Sequence, residues 1–132
     1  MIDRNMIMKK LMLPIFASTI WISVSEFVRN DELVKSQWVA HYQTLGLTFP
    51  NTASNGLVWG LWSLAFAILI YIILQKFSLL QTIFISWFAA FVLMWLTIGN
   101  LGVLPYGILW AAIPLSLLET AIAAWITMRL SK

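Results

Sequence analysis

Between Lys35 and Arg129 the only charged side chains are Lys76 and Glu119. A chain so apolar over such a length cannot fold around one small core in water without leaving a large greasy exterior, so that exterior must face lipid. Of the 132 residues 10% are charged and 61% apolar, and mean hydropathy is +0.89. Water-soluble chains carry about a quarter charged residues. The expected fold is an all-α membrane protein, a four-transmembrane-helix bundle forming one integral membrane domain over residues 1–132, with the lipid bilayer as its first partner.

The composition also excludes chemistry. Without cysteine there are no disulfides, thiolate nucleophiles, zinc–thiolate sites or iron–sulfur clusters, and His41, the only histidine, cannot make a conventional metal site alone. No cofactor and no metal are expected. The net charge of +3 reports membrane topology rather than nucleic-acid binding, because no basic stripe is present.

The polar stretch Ser25–Asn55 separates the first apolar run, about 11–28, from the others, about 56–74, 79–104 and 106–128. The basic start before Leu11 resembles a signal peptide, with Ser23-Val24-Ser25 as a small-x-small cleavage candidate; the expectation is that this first span is retained. Residues 31–45 read as an amphipathic interfacial helix: Asn30 or Asp31 caps it, Gly46 ends it, and Val34, Trp38, Tyr42 and Leu45 recur at helical spacing. Arg4, Lys9, Lys10, Lys76, Arg129 and Lys132 fall on one side of such a bundle, and Arg29 and Lys35 on the other. The positive-inside rule then places both termini in the cytoplasm and the interfacial helix in the first, non-cytoplasmic loop, in what is expected to be a bacterial inner membrane. The 8 tryptophans are expected to serve as interfacial anchors.

Helices in lipid associate through small and polar faces. Such faces are Thr19, Ser23 and Glu26 in the first span, Gly56, Gly60, Ser63 and Ala67 in the second, Ser86, Ala90, Thr97 and Asn100 in the third, and Ala112, Ser116, Glu119 and Ala123 in the fourth. Glu119 is the most informative residue. It lies about midway between Pro105 and Arg129, near the middle of the bilayer at about 1.5 Å per residue. An ionisable side chain there is costly, must face the bundle interior, and marks a proton or cation site unless it serves only as glue between helices. The candidate ligand or proton site is Glu119 with Ser116, Asn100 and Glu26, and Arg29, His41 and Tyr42 are placed at its mouth. Glu26 is expected near the outer surface, paired with Arg29.

No serine–histidine–acid order, phosphate loop or nucleotide fingerprint occurs, so enzymatic activity has no support from motifs. In helix count, and in carrying a glutamate in its first span, the chain resembles the small multidrug resistance transporters. Their acid lies near the centre of that span, whereas Glu26 stands at its outer end and the following loop is far longer, so no family is assigned. The leading expectation is a transporter or small-ligand or ion-binding bundle that uses a buried glutamate, with a homo-oligomer as one arrangement. The alternatives are a non-catalytic accessory or scaffold subunit bound to a larger membrane-protein partner, and a lipid-modifying enzyme in which Glu26, His41 and Asn100 converge.

Overall fold

The computed structural model describes residues 3–132, which are mostly helical with no strand among them. Four helical rods are long and apolar enough to cross a bilayer: Arg4–Leu33, Ala53–Leu74, Leu79–Asn100 and Tyr106–Leu130. The first comprises α1 (Arg4–Phe27) and a π-helical turn, Val28–Leu33. A shorter helix, α2 (Lys35–Thr44), follows, and α3 (Ala53–Leu74) is the second rod. The third consists of α4 (Leu79–Trp87) and α5 (Leu93–Asn100) around a second π-helical turn, Phe88–Val92. A 3₁₀ turn, Tyr106–Ile108, leads into α6 (Leu109–Leu130).

The first rod is longer at both ends than its apolar core. Asp3 caps its start by accepting from the Asn5 N–H (2.9 Å), and at its far end the Val34 N–H reaches back to the Arg29 carbonyl (3.0 Å). The helix in the first loop therefore begins at Lys35 rather than 31. Ser78 and Gln81 form a capping box that starts α4 directly after the short turn from α3. Both α2 and α5 end in a Schellman turn at a glycine with positive φ, Gly46 (71°) and Gly102 (74°). At the second of these the Gly102 N–H donates to Gly99 and the Val103 N–H to Ile98, which stops the third rod at Asn100.

The helix α6 is the centre of the bundle: 44% of its most apolar window is buried, against 22%, 22% and 17% for the other three rods. Apart from Glu119 its buried residues, Ala111, Ala112, Ser116, Thr120, Ala123, Ala124 and Thr127, are small, so α1 and α4 approach it closely. From α1, Ser18 donates to the Ala123 carbonyl (3.2 Å) and pairs with the Thr127 hydroxyl (2.8 Å). The α1 face toward the bundle is accordingly Ser18, Ile22 and Glu26: Glu26 is as expected, Ser18 and Ile22 are buried in place of the expected Thr19 and Ser23, and Thr19 turns its hydroxyl onto its own helix at Ile15 (2.7 Å). The third rod follows its expected face only as far as the π-helical turn. Ser86 is buried, but the extra residue in the turn rotates Thr97 and Asn100 outward, where both are exposed.

One core cluster joins Ile22, Phe66, Ala67, Ile70, Phe91, Ala123 and Ala124 across the bundle. A second, at one end, packs Val34 against Leu104, Ile108, Ala111 and Ala112. It docks the start of α2 on the entrance to α6, and His41 Nε2 adds a hydrogen bond with the Gly102 carbonyl (2.8 Å).

Two alanine substitutions should move stability in opposite directions. Gly102→Ala forces a side chain into the left-handed region and should cost about 1 kcal/mol. Gly56→Ala, in a regular helix with nothing within 4 Å of the added carbon, should gain about 0.5–1 kcal/mol. The check is the denaturant midpoint of the purified protein in mild detergent.

Candidate functional site

The site is built from the far end of the first rod upward. Glu26 and Arg29 are one turn apart on the face turned toward α6, and both are 5% exposed. Arg29 Nη2 donates to Glu26 Oε1 in a close ion pair. Asn30 Nδ2 donates to the other Glu26 oxygen (2.9 Å) and to the Glu26 carbonyl (3.1 Å). The second guanidinium nitrogen, Arg29 Nη1, lies 3.6 Å from Glu119 Oε1 on α6. One arginine thus stands between two carboxylates from different helices.

Both π-helical turns meet here. Arg29 belongs to the first and Phe91 to the second, and the guanidinium carbon sits 5.3 Å from the Phe91 ring centroid. That is cation–π range, and an aromatic face suits a guanidinium that has little water around it. π-Helical turns recur where a helix must present a particular side chain, which is their effect here.

The hydrogen bonding around the cluster is uneven. Glu26 is fully engaged, but Glu119 Oε1, Glu119 Oε2 and Arg29 Nη1 have no hydrogen-bond partner although all are buried. The Glu119 backbone is better held, since the Trp21 Nε1–H donates to its carbonyl (3.0 Å). Buried charges left short of hydrogen bonds are expensive.

Above the cluster is a cavity of about 590 Å³, within the size range of small-molecule sites. Its floor includes Glu26, Arg29 and Phe91. One wall is α3, from Asn55 through Gly56, Trp59 and Gly60 to Ser63, and the opposite wall is Met94, Trp95 and Ile98 of α5. Over it lie Trp38, Tyr42 and Phe49, with Trp38 and Phe49 stacked at 6.0 Å and Tyr42 meeting Phe49 edge-on at 5.3 Å. Glu119 does not line this cavity. Arg29 is in contact with both.

Of the residues singled out in the sequence, Glu26, Arg29 and Glu119 come together, and Tyr42 lies over the same cavity. Arg29 is not at the mouth: it is the buried centre of the cluster, reached because the helix continues past Val28. Ser116 lies one turn from Glu119 but accepts from the Trp87 Nε1–H (2.9 Å) and donates to Ile113 (3.1 Å). Asn100 is exposed at the end of α5, and His41 is spent on Gly102. Glu26, His41 and Asn100 share no hydrogen bond. No local sequence signal marks Phe91 as part of the floor or Asn30 as a partner of Glu26. Among the described residues no group of three metal-ligating side chains occurs. The tryptophans are not only anchors: Trp21 and Trp87 tie α1 and α4 to α6. The paired Asp31 and Lys35 (3.9 Å) are each about one-third exposed and contribute little to stability. The chain matches no protein-family model, no characterised protein and no solved structure.

Removing the arginine while keeping both acids is the severe change. Arg29→Met leaves two buried carboxylates facing one another and should cost about 3–5 kcal/mol. Adding Glu26→Gln and Glu119→Gln to Arg29→Met should restore most of that stability, measured by unfolding in detergent. A triple variant no more stable than Arg29→Met would mean that Arg29 matters for packing rather than charge.

Proposed function

We propose that the chain is a small membrane transporter or ligand-binding bundle. A small molecule enters the aromatic cavity, and the Glu26–Arg29–Glu119 cluster beneath it exchanges one positive charge. The observation that carries this reading is the count within the cluster: two buried carboxylates share one guanidinium. Neutrality requires one further positive charge, a proton or a cation, and Glu119, with neither oxygen hydrogen-bonded, is the group positioned to take it. Arg29 touches both the cavity and Glu119, so whatever displaces it on one side is felt on the other.

Topology agrees with an outward-facing cavity. The basic residues Arg4, Lys9, Lys10, Lys76, Arg129 and Lys132 belong to the helix ends remote from the cavity. In a bacterial inner membrane this puts both termini in the cytoplasm and the cavity on the outer side, with α2 lying at the interface as its cover. One protomer supplies the whole cluster, so a homo-oligomer would not be needed to complete it.

Trp38, Trp59 and Trp95 border the cavity, so ligand entry should change tryptophan fluorescence. The protein in nanodiscs is screened with small amines, carboxylates and zwitterions as pH is varied. Glu119→Gln should fold normally and lose the pH dependence of binding. Gly60→Leu fills the cavity from a position with nothing within 4 Å of the added carbon, and should lose binding itself. Binding that survives both substitutions unchanged, or no binding by any class, contradicts the proposal.

A further inference from the structure

A hydroxyl buried in an apolar helix bundle normally donates to the carbonyl one turn back on its own helix. Ser63 does so to Trp59, Thr120 to Ser116 and Thr127 to Ala123, and Ser18 and Ser116 also find carbonyls. Thr82 and Ser86 do not. Both are 0% exposed, one turn apart on α4, and neither hydroxyl has a partner within the protein. The other unpartnered buried side-chain atoms among the described residues belong to Arg29 and Glu119. Ser86 precedes Trp87, whose indole donates to Ser116, one turn from Glu119 on α6. Thr82 lies one turn further from the cavity, toward the helix ends that carry Lys76 and Arg129.

We propose that Ser86 and Thr82 hold a file of internal water that connects Glu119 to the basic end of the bundle. Glu119 then exchanges protons on the side opposite the aromatic cavity. The proposal rests on the functional reading above for its purpose, though not for its evidence. Buried polar groups without protein partners are where internal water is held, each water needing two to four such partners. Glu119 is 1% exposed and absent from the cavity lining, and Arg29 over Phe91 closes the floor between them. A proton entering at the basic end is handed from one oxygen to the next, each releasing one as it accepts one, and ends on a Glu119 oxygen. The cavity and the water file then reach the cluster from opposite ends, with Arg29 as the partition.

The test is water-to-protein magnetisation transfer by solid-state NMR on the isotope-labelled full chain in lipid bilayers. Thr82 and Ser86 should receive magnetisation from water several-fold faster than the equally buried Ile70 and Ala67, which serve as dry references. Thr82→Val should slow transfer at Ser86 and Glu119, and Thr82→Ser should restore it. Gly60→Leu, which fills the cavity, should leave it unchanged. Transfer at Thr82 and Ser86 no faster than at Ile70 and Ala67 overturns the proposal, as does wetting that is lost with Gly60→Leu and kept with Thr82→Val. Should Thr82→Val not fold, the wild-type comparison still decides. Failure here leaves the ligand-binding reading standing, because that reading is judged by fluorescence and this one by hydration alone.

Discussion

The structure depends on the burial of one guanidinium. Taking Arg29 out of water costs several kcal/mol, which the close Glu26 carboxylate offsets and the Glu119 carboxyl group on its other side helps to offset. Glu26 comes from its own helix and Glu119 from α6, so the pairing fixes the azimuth of the first rod and its height relative to the central helix. Phe91 supplies a third side. A charge that must be satisfied from three directions tolerates few alternative packings, whereas apolar faces in lipid tolerate many, because lipid tails compete equally for leucine and phenylalanine.

Other features follow from that requirement. The small residues along α6 let α1 and α4 come close enough for Ser18, Trp21 and Trp87 to reach it with hydrogen bonds. The π-helical turn at Val28–Leu33 carries Arg29 into the core and turns the chain toward α2. The turn at Phe88–Val92 presents Phe91 beneath the guanidinium and swings the polar residues of α5 away from the bundle. Around the cavity, Gly56 and Gly60 leave the α3 wall open where a larger residue would occupy space. The cover formed by α2 is held at its base by Val34 and at its far side by His41, and its aromatic side chains lie over the cavity between these points.

Much of this was legible from composition and spacing. Four spans follow from the length and apolarity of the runs, and Glu119 stands out because an acid in such a run is expensive. The polar faces of α3 near Ser63 and Ala67, and of α6 throughout, follow from helical periodicity. The buried position of Arg29 is not legible from the end of the apolar run, because the helix continues past Val28 and Arg29 finds partners inside. The outward position of Asn100 and Thr97 is not legible from periodicity, which assumes a constant turn, because the π-helical segment breaks the register before them. That Arg29 would pair with Glu119 is a fact of tertiary packing, and no local signal encodes it.

The central claim is that Arg29 lies buried against Glu119. Its most direct test is a carbon–carbon correlation by solid-state NMR between the Arg29 guanidinium carbon and the Glu119 carboxyl carbon, in the full chain in lipid bilayers. With Nη1 and Oε1 at 3.6 Å, the account predicts a short-range cross-peak between them that disappears in Glu119→Gln as the carboxyl resonance is replaced. An Arg29 that shows no contact with Glu119 and exchanges freely with water would contradict it.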